Sequence, residues 1–186
     1  RLNAQGYSLY VGTIEPRKNL DRLLAAYESL PQALRMRYPL VMAGGAGWCS
    51  ESTHQRMTTA ANAGWLRYLR YVAQADLPAL YAGARVFVYP SLYEGFGLPV
   101  LEAMASGAPV ITSNCSSLPE VVGTAALQVH PQDVTALAAS LARALQDDTW
   151  RATARDAGLA RAAQFSWQRC IQETVRVYEQ LMANPR

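Results

Sequence analysis

Lysine is nearly absent from this sequence. Of its 17 basic residues sixteen are arginine, and Lys18 stands alone. Against 14 acidic residues they leave a net charge of +3, which excludes the concentrated positive field of a nucleic-acid binder. Cysteine is scarce too: Cys49, Cys115 and Cys170 lie 66 and 55 positions apart, with no CxxC pair and no histidine cluster nearby. That spacing excludes a disulfide framework and a zinc site, and makes a reducing cytosol the expected compartment. Uninterrupted apolar runs fall far short of the ~18 residues a membrane span needs, and the first residues are mixed and polar rather than a signal peptide. Any membrane association is therefore expected to be peripheral. No Asp-x-Asp triplet occurs among the acids, so no metal site is expected. With only 12 glycines and 10 prolines in 186 residues, disordered, collagenous and low-complexity classes are excluded as well.

What is present is an ordinary globular composition, 51% hydrophobic. A chain of this length buries roughly 70% of its unfolded surface, enough for one core. No repeat, charge block or linker interrupts it, so residues 1–186 read as a single domain. Short β-branched or aromatic runs at 7–11, 39–43, 65–72, 85–89, 109–112 and 126–129 read as strands. Between them, 19–30 carries apolar residues at i, i+3, i+4 and i+7, and 50–63, 76–83, 99–106 and a short turn at 117–122 fill the remaining gaps. This βαβ alternation predicts an α/β fold, with a parallel sheet of about six strands, right-handed crossovers and helices on both faces. C-terminal helices follow at 133–145, 148–164 and 166–182, with Asp133 and Ser166 as N-caps. The last places Trp167, Cys170, Ile171, Val175, Tyr178 and Leu181 on one stripe, too apolar for a solvated tail.

Ligands of open α/β sheets bind at the carboxyl ends of the strands, so the loops there carry the functional reading. The first strand runs into Gly12-Thr13-Ile14-Glu15-Pro16-Arg17-Lys18-Asn19, a glycine turn with two cations at the mouth of a helix. Helix N-terminal amides attract anions, and Arg17 and Lys18 would add full charges suited to phosphate. A solvated Arg-Lys pair is the alternative, and the singular use of lysine here favours the first reading. The second strand exits through Gly44-Gly45-Ala46-Gly47, where backbone can approach a ligand or simply turn; Ser50 stands where a GxGxxG fingerprint needs its third glycine. His54 and His130 have no matching partners and read as structural or surface residues.

The strongest signal is the segment Tyr89-Pro90-Ser91-Leu92-Tyr93-Glu94-Gly95-Phe96-Gly97-Leu98-Pro99-Val100-Leu101-Glu102. Pro99 suits a first helical turn, which points the amides of Gly97 and Leu98 out beside Glu94 and sets Glu102 one turn inside. Carboxylates at i and i+8 are too far apart for the ~5 Å acid/base dyad of a retaining glycosidase, but suit the two ends of an elongated polyhydroxyl ligand. Carboxylates accept only, as hydroxyl recognition requires. Either glutamate alone would read as a surface charge; the glycine context argues otherwise.

Glu94 and Glu102, inside PSLYEGFGLPVLEAMASGAPVITSN, resemble the E-x7-E signature of the retaining group 1 (family 4) glycosyltransferases. YVGTIEPRKNL, DLPALYAGARVFVYPS, SLPEVVG and the late FSW are similar to that family in the same order, so the resemblance covers nearly the whole chain. Its flavour is that of bacterial mannosyltransferases building surface polysaccharide such as O-antigen. The resemblance implies one Rossmann-like, doubly wound half of a GT-B fold, the donor-binding half. It implies that Glu94 contacts hydroxyls of the transferred sugar, Glu102 the ribose hydroxyls, and that Lys18 holds the diphosphate. The loop at Gly95 with the amides of Phe96, Gly97 and Leu98 would bind sugar or phosphate, Gly12 and Gly45 would line the donor, and Tyr71 and Val72 would pass the nucleobase. Thr13 stands where the family has an arginine, which leaves Arg17 to supply the guanidinium; Arg70 stands where it commonly has glycine.

The implied reaction transfers a hexose with retention from a nucleotide-diphosphate donor, GDP-mannose ahead of UDP-hexoses, to a glycan or lipid-linked acceptor, with no cofactor and no obligatory metal. The acceptor half is an N-terminal domain that this chain does not contain, so donor binding with little or no turnover is expected of it alone. The final helix would lie against that domain, leaving its stripe exposed here. The implied place is the cytoplasm or the cytoplasmic face of the inner membrane. Another GT-B enzyme, such as a sugar-nucleotide epimerase or a glycogen-type phosphorylase, and a non-catalytic nucleotide-binding module are the alternatives.

Overall fold

The computed structural model describes residues 2–183. Six parallel strands form one sheet: β1 Ser8–Val11, β2 Leu40–Ala43, β3 Leu66–Arg70, β4 Val86–Tyr89, β5 Val110–Ser113 and β6 Leu127–Val129. The expected six strands are all present, each within a residue or two of the run that predicts it. β2, β4 and β5 are buried along their whole length, and β2 and β4 accordingly read as continuous runs and not as alternating ones. β3 and β6 are the edges, and the arginines of LRYLR mark β3 as one.

The strand order is β3-β2-β1-β4-β5-β6. The chain first steps outward from β1 to β3, then crosses back and steps the other way from β4 to β6. The direction reverses between β1 and β4, whose registers pair Ser8 with Val86 and Leu9 with Phe87. The loops leaving these two strands must diverge there, and the crevice they leave is where a doubly wound sheet takes its ligand.

Helices cover both faces. α1 (Leu20–Glu28) packs against α3 (Glu51–Asn62) and α7 (Val134–Gln146), while α5 (Leu98–Ala105) packs against α4 (Leu77–Ala82), α6 (Leu118–Val122) and α8 (Asp148–Ala162). Asp133 caps α7 by accepting from the Ala136 amide at 2.8 Å, and Asp147 caps α8 at Trp150. A short helix, α2 (Gln32–Arg37), has no buried residue and so no apolar stripe to announce it in the sequence. α9 (Trp167–Ala183) starts at Ser166, whose hydroxyl accepts from the Arg169 amide at 3.1 Å. Its apolar stripe is open: Trp167, Ile171 and Tyr178 are 75%, 61% and 62% exposed.

The mouths of β1 and β2 are pressed together. The Gly12 amide donates to Ala43 O, and the Ile14 amide to Gly45 O, both at 2.9 Å. Gly44 has φ of +141°, and a Cβ there would lie 2.0 Å from Gly12 O. Neither atom belongs to a flexible side chain, so one strand end would have to move. Gly44→Ala should therefore lower stability by about 1 kcal/mol or more, read as an earlier denaturant midpoint with an unchanged slope.

Candidate functional site

The loops after β1 and β4 are tied together at the switch point. After Gly12 the chain passes a single 3-10 turn, Pro16–Lys18, and Asn19 then adopts φ of +60° before α1 begins. Asn19 Nδ2 donates to Pro90 O at 2.9 Å and to Pro131 O at 2.6 Å, and the Leu92 amide donates to Arg17 O at 2.9 Å. The first loop is thus laid along the second, which brings residues 76 positions apart into one cluster.

At its centre Lys18, 7% exposed, donates to Glu94 Oε1 at 2.7 Å and contacts Tyr89 Oη at 2.5 Å. Arg17 grips the other carboxylate oxygen, Nη1 to Glu94 Oε2 at 2.7 Å, while also donating to Tyr93 O at 2.9 Å and, through Nη2, to Glu15 Oε1 at 2.6 Å. Two cations and two carboxylates therefore balance. Burial raises the Glu94 pKa, but hydrogen bonds from Lys18 and Arg17 and the charge of Lys18 outweigh it and hold the carboxyl below its ordinary value. Burial likewise works against the Arg17 charge, and Glu94 and Glu15 overcome it to raise its pKa. The arrangement presents a half-exposed guanidinium, backed by a buried ammonium, beside the uncapped start of α5, where Gly97 takes φ of +103°. Cations beside a helix N-terminus favour an anion such as a diphosphate, and the carboxylate between them can accept hydroxyls.

The other predicted residues are placed around this centre. Glu102 is exposed on α5, and Tyr81 Oη donates to its Oε2 at 2.9 Å. Gly95 has open space around it; Phe96 and Leu98 are 40% and 46% exposed on the rim. Thr13 offers its carbonyl to Tyr10 Oη at 3.1 Å, and Gly45 spends its carbonyl on Ile14, so the backbone of both serves the loops themselves. Tyr71 is 81% exposed past the end of β3 and Val72 packs against the core, both away from Glu94 in the fold's order of strands. Arg70 adopts a left-handed backbone, with φ of +58°. A groove of about 900 Å³ opens between α5 and α9, sharing Phe96 and Leu98 with the site. Among the described residues no group of three or more His, Cys, Asp or Glu is gathered as a metal site would require.

Several contributors lie outside the predicted site residues. Tyr89, buried and stacked on Tyr10 with ring centroids 5.9 Å apart, lies under Lys18. The Glu94 amide donates to Ser116 Oγ at 3.0 Å, and Ser117 Oγ donates to the carbonyls of Glu94 and Phe96 at 2.9 Å. Ser116 and Ser117 follow β5 at its carboxyl end, so the rule that singles out the other loops applies equally to theirs.

Comparison with known proteins places the chain in a family. The family model of group 1 glycosyl transferases matches residues 3–161. The chain is 55% identical over 177 residues to O-antigen chain mannosyltransferase B of Escherichia coli, covering 95% of this chain and 46% of that protein. It is 36% identical over 180 residues to the serotype-specific mannosyltransferase WbdA of Escherichia coli, covering 95% of this chain and 22% of that protein. Among solved structures, sucrose-phosphate synthase from Thermosynechococcus elongatus superposes with a TM-score of 0.81 at 31% identity, over 96% of this chain and 46% of that one. The chain thus spans about half, or less, of the length of the relatives it matches.

The buried cluster makes acid stability a test of the site. A carboxyl whose folded pKa is depressed contributes fully above its unfolded value and is lost as pH falls through the folded one. The Glu94 share should therefore be complete above about 4.5 and disappear below it. Glu94→Gln, which strands Lys18, should cost about 3 kcal/mol near neutrality and flatten the acid limb of a stability-versus-pH curve. An acid limb as steep as that of the unaltered chain would contradict it.

Proposed function

The chain belongs to the group 1 glycosyltransferases, and from that premise we propose that it binds a nucleotide-diphosphate sugar as the donor half of a retaining hexosyltransferase. GDP-mannose is the favoured donor, ahead of UDP-hexoses, because the curated relatives of greatest identity cited above are mannosyltransferases. The single observation that carries the reading is the meeting of Arg17, Lys18 and Glu94 at the switch point of the sheet.

Each part has a role in this reading. The diphosphate lies against Arg17, Lys18 and the first amides of α5, at Phe96, Gly97 and Leu98. Glu94 accepts from hydroxyls of the sugar, Glu102 from those of the ribose, and Tyr71 and Val72 border the base. As the glycosidic bond breaks, negative charge grows on the departing diphosphate, and fixed donors already aimed there lower the barrier without reorganising. The chain's own cations take the task a divalent ion has in other transferases, so the reaction proceeds without metal. Arg17 stands in for the arginine that Thr13 replaces; it reaches Glu94 from a position four residues further along the same loop.

Acceptor recognition belongs to an N-terminal half, and the open stripe on α9 packs against it in the complete enzyme. The acceptor is a glycan or lipid-linked glycan of surface polysaccharide, and the work is done in the cytoplasm at the inner face of the membrane. Among the described residues no helix is long and apolar enough to cross that membrane, so attachment is peripheral in this reading.

Calorimetric titration of the chain with GDP-mannose, UDP-glucose and GDP tests the assignment. Lys18→Ala should weaken GDP and GDP-mannose alike, by about tenfold or more, the order expected when a charged hydrogen bond is lost. Glu94→Ala should weaken GDP-mannose more than GDP, because its partners are on the sugar. Unchanged affinity in both variants would identify a site elsewhere and reduce this cluster to a structural ion pair.

A further inference from the structure

We infer that Tyr81 is a positioning residue for Glu102, holding its carboxylate ready for a pair of ribose hydroxyls and so making the site select ribonucleotide over deoxyribonucleotide donors. The inference rests on the donor-binding reading above and adds to it a residue and a specificity.

Tyr81 is 1% exposed on α4, and its hydroxyl is aimed across the helix interface at Glu102 Oε2, 2.9 Å away. Its ring packs edge-on against Phe87, centroids 5.3 Å apart at 72°. Phe87 stacks on Tyr89 at 5.8 Å, and Tyr89 on Tyr10 at 5.9 Å. This aromatic ladder in the core under the site fixes Tyr81 at one end, as it fixes the Lys18 partner Tyr89 further along. Burial first, and then the charge and hydrogen bond of Glu102, push the Tyr81 pKa well above its ordinary value. The phenol therefore stays a donor across the working range of pH.

The chemistry of the pair differs from that at Glu94. There two cations share the negative charge. At Glu102 the partner in hand is a neutral phenol, which orients the carboxylate and leaves its charge undivided. One hydroxyl donor occupies one of about four lone-pair sites, leaving room for two more donors side by side. Anionic phosphate is repelled by such a group, whereas adjacent hydroxyls are the ligand it accepts. A free glutamate loses rotamer freedom when it binds, and a glutamate already anchored by Tyr81 loses less. A ligand without those hydroxyls forgoes both charge-assisted hydrogen bonds to the carboxylate and the affinity they contribute.

The test uses the chain itself, titrated calorimetrically with GDP and UDP and, for whichever binds more tightly, with its 2′,3′-dideoxy form. The unaltered chain should prefer the ribonucleotide by about tenfold or more. Tyr81→Phe keeps the ring and removes only the donor; it should cut ribonucleotide affinity by about fivefold and leave dideoxynucleotide affinity unchanged, which also reports an intact fold. Glu102→Gln should shrink the preference further. If Glu102→Gln erodes the preference while Tyr81→Phe does not, or if Tyr81→Phe weakens both nucleotides equally, the positioning role is overturned and the ribose reading of Glu102 stands. If Glu102→Gln leaves the preference intact, that reading falls and this inference with it; if neither nucleotide binds the unaltered chain, the donor site itself is refuted.

Discussion

Lys18 can be buried only because Glu94 meets it, and Glu94 can be buried only because Lys18 and Arg17 hold both of its oxygens. Each group taken from water alone would cost several kcal/mol. The contact thus couples two loops that belong to different halves of the sheet. The supporting hydrogen bonds read as consequences of that constraint: Asn19 reaches Pro90 and Pro131, Ser116 and Ser117 pin the backbone around Glu94, and Tyr89 fills the space beneath the ammonium. A buried ion pair is weak evidence for stability, since an apolar pair of like volume commonly serves as well. Its retention at the mouth of the sheet, where ligands bind, therefore speaks for a use beyond holding the fold.

Strand order sharpens the point. The loops after β5 and β6 hold the site in place through Ser116, Ser117 and Pro131, while β1 and β4 must be neighbours and must lead their loops apart. The cations come from one loop and the carboxylate from the other, so the site exists only when the two halves of the sheet are joined. The same arrangement gives the donor reading its logic. Without a ligand, the groups that would bind phosphate neutralise the group that would bind sugar. A ligand that carries both chemistries can satisfy all of them at once, whereas one carrying a single chemistry leaves the others in their mutual contacts.

Much of this was legible in the residues. All six strands and the principal helices follow from runs of β-branched and aromatic residues alternating with 3.6-residue stripes, and the carboxyl-end rule directed attention to the loops holding Lys18 and Glu94. The singular lysine proved to be buried in the site. What was not legible depends on distance in sequence. Tyr89 belongs to a strand covered on both faces, so nothing in V-F-V-Y distinguishes a residue under a site from one in plain core. Tyr81 meets Glu102 across 21 positions, between helices whose periodicity shows which face is apolar but not which neighbour it meets. α2 has no buried face and left no pattern at all. Sequence periodicity encodes burial, while partnership is encoded only by topology.

The open stripe on α9 follows from the same physics at a larger scale. A helix whose Trp167, Ile171, Tyr178 and Leu181 all lie more than half exposed gains nothing from these side chains as it stands. Its cap at Ser166 and the ion pair of Arg169 with Glu173 at 2.7 Å stabilise it locally, but such contributions are small beside the burial of an apolar face. The groove between α5 and α9 continues that face to Phe96 and Leu98, on the rim of the site that holds Glu94. In the proposed reading, a surface seated on α9 would therefore abut the loop that carries Glu94, so that closing the apolar face and walling that site would be one event.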